Sequence, residues 1–450
     1  MTRRLLACAA LFVLAGCSAH FYDWVPQHSA ANVCGDLAVF VTQPASHTLE
    51  WHGVALLDIP SGPDYITAVD LHTGEITWRY QRGHVISRET YHKVSVRPPV
   101  IDGTTAYVWQ DGRPCAIDCL TGEQRWYARQ AARCRPGGIV VAGRVVLFSG
   151  SPDDREHTTL CAYDKDSGEA LWARAGVRMV ARAEGRIFAF QDPGSAAGRG
   201  TRLIGLDPQT GNTLWETPAF PAAGWLPVPS QVGHVGANLG DGAANVGGAV
   251  ASERAVVVAG ASALSGYAHT YTVRCFEAAT GQLLWNKDIT VRGTNPYWHR
   301  GLALFLADLR CYILISQPTA GGKEIGLRVC DLLTGEELKE ATVEFVGFEH
   351  CLLMRDDAVP ELVLVPSPLE EPFRVLAFDA ETGSLLREFC LPAESKVRRQ
   401  FRSFSTVGET LFAGGWEVGP DTHVAPVLYQ FDLRSGEVVW SQMGEPKAPR

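Results

Sequence analysis

The chain is poor in the local motifs that usually announce chemistry. Its 450 residues contain no adjacent cysteine pair, no Cys-x-x-Cys-His run for attaching haem, no Cys-x-x-Cys pair of the kind that opens a zinc site, and no Gly-x-Ser-x-Gly elbow for a nucleophilic serine. His84, His92, His299, His350 and His423 fall in loops, with no two at ligand spacing on one element. His72 and His269 stand in repeat or loop contexts without further pattern, so no metal site is expected. A basic excess is also missing, since 40 Lys and Arg face 49 Asp and Glu, and nucleic acid is therefore not an expected partner. The N-terminal apolar run, residues 5–15, is 11 residues long, against the ~20 that span a bilayer as a helix.

What the chain does have is repetition. The stretch AVDLHTGEITW, with Asp70, Gly74 and Trp78, returns seven times. The later copies hold Asp118, Gly122 and Trp126; Asp164, Gly168 and Trp172; Asp207, Gly211 and Trp215; Glu277, Gly281 and Trp285; Asp331 and Gly335; Asp379 and Gly383; and Asp432, Gly436 and Trp440. Each copy reads as a strand, a tight turn and a returning strand. The acid can bond the turn's backbone amides, and the glycine supplies the positive φ that a bulged hairpin needs. Six copies carry tryptophan four residues after the glycine, where the ring requires an apolar slot in the neighbouring repeat. Lys339 and Arg387 replace it in copies six and seven, so Arg387→Ala is expected to matter little there.

The motif glycines are 43 to 70 residues apart, a period that fits four short strands plus turns. This pattern resembles the quinoprotein-type, or PQQ-like, repeat of pyrroloquinoline-quinone dehydrogenases and of many propellers without cofactor. The resemblance covers roughly residues 28–442. It implies an all-β chain folded as an eight-bladed β-propeller of four-stranded antiparallel blades, with each motif forming a blade's last two strands. Blade 2 is expected over residues 93–100, 104–109, 114–118 and 123–128. In that architecture the Thr-Gly turns share one end of the ring. The other end carries the loops that enter each blade and join its middle strands, including 43–63, 150–157, 192–202 and 416–426. The same end holds a Gly-, Ala- and Pro-rich insertion at about 216–248, a stretch for binding or for a lid, with Trp225 and Leu226 as its docking residues.

The N-terminus opens with Arg3 and Arg4, continues through the apolar run and reaches Leu14-Ala15-Gly16-Cys17, which resembles the lipobox of bacterial lipoproteins. The domain reading is therefore a signal peptide over 1–16, a lipidated N-terminus and tether over 17–27 with Cys17 as the attachment site, and a propeller over 28–450. The resemblance implies a chain anchored by lipid in the bacterial cell envelope, at the outer membrane and facing the periplasm. Removing 1–16 takes away two arginines and no acid, leaving 38 basic and 49 acidic residues and a net charge of −11. Ten cysteines remain besides Cys8 and Cys17. Several sit just before a repeat's acid, where cysteine acts as a small apolar residue, and no disulfide framework can be read from them.

The clearest chemical bias lies in the segments entering the innermost strands: Arg133 and Arg135, Arg178, Arg292 and Arg300, and Arg398, Arg399 and Arg402. If these line the axial mouth, they make a basic funnel for carboxylates, phosphates or a partner. The alternative is a set of rim arginines, each paired with a nearby acid. Within this family the chain resembles the lipoprotein scaffolds of outer-membrane assembly, which implies a non-catalytic binding or assembly role with an envelope protein as partner and no cofactor. The other reading is a PQQ-dependent, quinoprotein-like dehydrogenase using pyrroloquinoline quinone with Ca²⁺. No catalytic residue is assigned under either reading.

Overall fold

The repeated turn builds the architecture. In the first copy the Asp70 carboxylate accepts hydrogen bonds from the amides of His72 and Thr73, both at 2.9 Å. The Thr73 hydroxyl in turn accepts the Glu75 amide, and Gly74 adopts a φ of 72°. Asp118, Asp164, Asp207, Asp331 and Asp432 repeat the arrangement. Hydrogen bonding from the Thr73 amide holds the Asp70 carboxyl below its usual range. Glu277 has one methylene too many for this geometry; its carboxylate accepts the Thr280 hydroxyl, and the turn still closes through Gly281 N to Glu277 O at 2.9 Å. After every turn the register slips by one residue, for example between Ala68/Trp78 and Val69/Ile76. The skipped residue faces outward, which explains the exposure of Leu171, Leu214, Leu338, Leu386 and Val439.

The structure is a computed structural model. It describes residues 19–443 except 83–98, 153–157, 192–200, 221–225, 228–248, 293–301, 345–349, 356–359, 366–372, 391–397, 419–423 and isolated one- to three-residue positions between strands. The chain is all-β. Its described strands form nine antiparallel sheets, eight of which are blades, seven of them built from consecutive strands and blade 1 interrupted by a hairpin. Blade 3 is representative, with Cys134–Ala142, Val145–Pro152, Thr159–Asp164 and Ala170–Ala175. The last three expected strands of blade 2 appear as Thr105–Gln110, Arg113–Asp118 and Gln124–Tyr127; its first strand is Val100–Asp102, whereas most of the expected 93–100 lies outside the described residues. Its innermost strand starts after Pro98 and Pro99, which have no N–H for a ladder.

The tryptophans join the blades. The Trp78 indole N–H donates to Cys119 O in blade 2 at 2.7 Å, and the ring lies on Gly122, where an added Cβ would come within 2.8 Å of it. Trp126, Trp172, Trp215 and Trp285 do the same to Lys165, Pro208, Ala278 and Leu332, each time the residue after the next repeat's acid. Trp440 closes the ring onto Leu71 O at 2.8 Å, with its ring over Gly74. Beneath the indole, on the neighbouring strand of the same sheet, stands Ala68, Ala116, Ala162, Gly205 or Cys275. Opposite Trp440 the position is held by Gln430, and the ring keeps the same slot, so a small residue is usual there without being required. Blade 7 has no tryptophan, and Phe389, two residues beyond Arg387 on the same face, lies on Gly436 in its place. Arg387 forms an ion pair with Glu361 of its own blade.

Buried apolar layers fill the spaces between blades. Ile66, Val108 and Ile117 pack between blades 1 and 2, and Val257, Leu304 and Ile313 between blades 5 and 6. Burying both faces of each sheet is what removes strict polar alternation from the strands. At the closure, Ala30, Ala31, Phe40 and Val69 of blade 1 meet Phe412, Leu428 and Trp440 of blade 8. Residues 30–41 complete their own sheet through Asn32–Cys34 and Leu37–Gln43, since residues 398–443 already supply four strands to blade 8, and they reach that blade through the Ser405 hydroxyl, which donates to Ala31 O.

Two features were not anticipated. The long connection in blade 1 forms a hairpin, Ser46–Trp51 with Val54–Pro60, and Ala19–Trp24 from the stretch assigned to the tether pairs with it as a ninth sheet. At 416–426 the strands Thr410–Val418 and Val424–Asp432 extend into what reads as a loop, pairing Trp416 with Pro426.

Candidate functional site

The docking pattern fixes which ends of the blades lie together. Each indole reaches the turn of the next repeat, so these turns share one end of the ring, and antiparallel order puts the start of every innermost strand at the other. Arg135, Arg178, Arg398 and Arg399 lie at or next to such starts, and Arg292 ends an outermost strand on the same side. The connections between second and third strands fall there too, as does the departure of the insertion after Phe220.

Among these arginines the side chains of Arg178 and Arg399 are described. Arg133 and Arg300 lie outside the described residues, as do the side chains of Arg135, Arg292, Arg398 and Arg402. Arg399 is 10 % exposed and points between blades 7 and 8. Its Nε donates to Glu417 Oε2 at 3.2 Å and to the Tyr429 hydroxyl at 3.1 Å, and that hydroxyl also donates to Glu417. Burial, followed by the Glu417 charge, raises the Tyr429 phenol above its usual range. The Arg399 guanidinium thus bonds within the wall of blade 8. Arg178, half-buried in blade 4, lies 5.7 Å from the centroid of Phe190, within the apolar layer shared with blade 5. Blades 4 and 8 are not neighbours in the ring, so the structure does not bring these two arginines together.

The insertion has one well-placed anchor. Phe220 is 3 % exposed, donates its amide to Thr201 O at 2.8 Å, and packs on Phe276 beneath the Arg274 guanidinium. Leu226–Pro227 then pairs with Gly260 and Ala261 at the edge of blade 5. Trp225 and residues 228–248 lie outside the described residues, as does Cys17.

Among the described residues no group of three or more His, Cys, Asp or Glu side chains is placed to hold a metal ion. Ca²⁺ beside pyrroloquinoline quinone would need several oxygen ligands, and the acidic side chains among the described residues form no such group. Sequence reasoning missed Phe389, Glu361, Glu417 and Tyr429. The first could have been found by looking two residues past a missing tryptophan, since i and i+2 share a strand face. The others required the register.

The profile of the family described as outer membrane protein assembly factor BamB matches residues 63–225. The chain carries PQQ-like repeats and resembles BamB in its propeller architecture. Quinohemoprotein alcohol dehydrogenase ADH IIB of Pseudomonas putida is 30% identical over 115 residues, which is 24% of this chain and only 17% of that enzyme. Among solved structures, BamB from Moraxella catarrhalis aligns at a TM-score of 0.46 and 14% identity, covering 77% of this chain and 87% of that one. The quinohemoprotein alcohol dehydrogenase from Comamonas testosteroni aligns at 0.45 and 12%, covering 87% and 73%.

Proposed function

We propose that this chain is a lipid-anchored propeller of the bacterial cell envelope, held at the outer membrane and facing the periplasm, where it binds a protein partner as a non-catalytic scaffold. The observation that carries the reading is the match of residues 63–225 to the BamB family, which runs from blade 1 through blade 4 into the insertion. The chemistry of the motif residues agrees with it. Turn carboxylates bond turn amides, indoles bond the next blade, and Arg399 is neutralised by Glu417, so these groups hold the frame together. Binding then falls to the loop end and the insertion, where sequence is free to vary on a rigid ring.

The runner-up, a quinoprotein-like oxidoreductase, is favoured by the 115-residue identity to a quinohemoprotein alcohol dehydrogenase. Fractionation tests the anchored reading. The full chain is expected in the outer-membrane fraction, resistant to a high-salt wash, and Cys17→Ala is expected to release a folded propeller into the soluble fraction. A Cys17→Ala protein that still pellets with the outer membrane would overturn the anchor.

A further inference from the structure

Cys34 and Cys119 are far apart in sequence, and the structure brings them together at the junction of blades 1 and 2. Cys34 ends the innermost strand of blade 1, Asn32–Cys34, and its thiol donates to Gly103 O at 3.4 Å. Cys119 follows the acid of blade 2, and its amide donates to Thr104 O at 2.8 Å. The two cysteines therefore sit on consecutive carbonyls of the single turn that joins Val100–Asp102 to Thr105–Gln110. Both are buried, at 3% and 0% exposure, in one apolar cluster at this junction. The surroundings are held on every side. Asn32 donates its side-chain amide to Pro99 O across the same junction, and the carbonyl of Cys119 receives the Trp78 indole.

We propose that Cys34 and Cys119, thiols in this structure, are the site of a disulfide that staples blade 1 to blade 2 when the chain folds in an oxidising compartment. The reaction needs an oxidant, and the class required is a disulfide-carrying thiol oxidoreductase of that compartment. One cysteine, as thiolate, attacks the carrier's disulfide and forms a mixed disulfide, releasing one carrier sulfur. The second cysteine then attacks the mixed disulfide. The Cys34–Cys119 bond forms, the two electrons leave on the carrier, and its two sulfurs take up the two protons, so the carrier departs as a dithiol.

The site also dictates when this happens. Burial pushes the Cys119 thiol far above its ordinary range, and a buried thiol is a poor nucleophile once the blades have docked. Oxidation belongs to folding, before the Trp78 ring covers the junction. The finished bond is then shielded from reductants by the same packing. Cys390, exposed on the outermost strand of blade 7, has none of this enclosure and stays a free thiol.

The test uses the full chain. Reduced, urea-unfolded protein is refolded with a mixture of glutathione and its disulfide, quenched in acid, unfolded, treated with N-ethylmaleimide and digested without reductant. The expected product is a peptide bearing Cys34 joined to one bearing Cys119, with Cys390 alkylated. Its thermal midpoint should exceed that of protein refolded with reductant by several degrees, a difference lost in Cys34→Ser and in Cys119→Ser. Adding the same mixture to reduced protein that is already folded should give at least tenfold slower formation. Protein exported in a bacterial host and quenched in the same way should carry the same link. Alkylation of both Cys34 and Cys119 after oxidative refolding, or the joining of either one to a different cysteine, would overturn the proposal. The peptide map of the unmutated chain decides the matter even where a serine variant fails to fold.

Discussion

At seven described motif glycines an aromatic ring of the preceding blade is laid on the glycine, and at Gly436 that ring is phenylalanine and not tryptophan. Trp285 is 8% exposed and bonds Leu332 O at 2.9 Å, whereas Phe389 covers Gly436 with no polar bond to make. Trp285→Ala and Phe389→Ala are each expected to lower stability by ~3–5 kcal/mol in chemical denaturation. Trp285→Phe removes the indole bond and some ring area, and is expected to cost closer to ~1 kcal/mol. An equal loss for Trp285→Ala and Trp285→Phe would mean that the hydrogen bond, not the ring, joins the blades. Arg387 has a different part. By sequence its replacement looks harmless, but Glu361 is only 12% exposed and depends on it. Arg387→Ala is therefore expected to cost ~1–3 kcal/mol through a stranded carboxylate. Adding Glu361→Gln should recover part of that loss, and a double-mutant cycle would measure it.

At the scale of the element, the unit is a bulged hairpin whose glycine has two separate duties. Gly281 has a φ of 73°, and an added Cβ would come within 2.3 Å of the Trp215 ring; Gly185 has a φ of 68° with nothing within 4 Å. Gly185→Ala should therefore lose only the ~1–2 kcal/mol of left-handed strain. Gly281→Ala should lose that plus ~1–3 kcal/mol for overpacking, and its Trp215 fluorescence should shift as the ring is displaced. Equal losses with unchanged fluorescence would show that the glycine is kept for its backbone alone. Much of this element was legible in sequence, because the acid, threonine and glycine act over four residues and leave a local signature. The first strand of each blade was not. Val100–Asp102 follows two prolines and matches no motif, and its place is set by pairing to Thr105–Gln110. The hairpin of Ser46–Trp51 and Val54–Pro60 was hidden for the same reason: pairing with Ala19–Trp24 is a long-range contact, and nothing nearby in sequence encodes it. The candidate site was less legible still. Position within the repeat put the arginines near the starts of innermost strands, but the partner of Arg399 became visible only when the register set Glu417 opposite it.

At the scale of the whole molecule, the ring closes by packing and side-chain hydrogen bonds, with no described strand exchanged between its first and last blades. Blades 1 and 8 each complete a sheet from their own segment, and Trp440, with the buried strip at Ala30 and Ala31, joins the two ends of the chain. Under the scaffold reading, binding would fall to the loops of this frame. A dehydrogenase on the same frame would instead need the quinone fixed at the axis, a divalent cation polarising its carbonyl and a base beside the substrate. The measurement that separates these most directly is turnover by the full-length protein incubated with pyrroloquinoline quinone and Ca²⁺, scored by dye-linked oxidation of alcohols and sugars. The scaffold account predicts no substrate-dependent dye reduction above the protein-free control. Stoichiometric cofactor that survives a high-salt wash, together with substrate-dependent dye reduction, would contradict it.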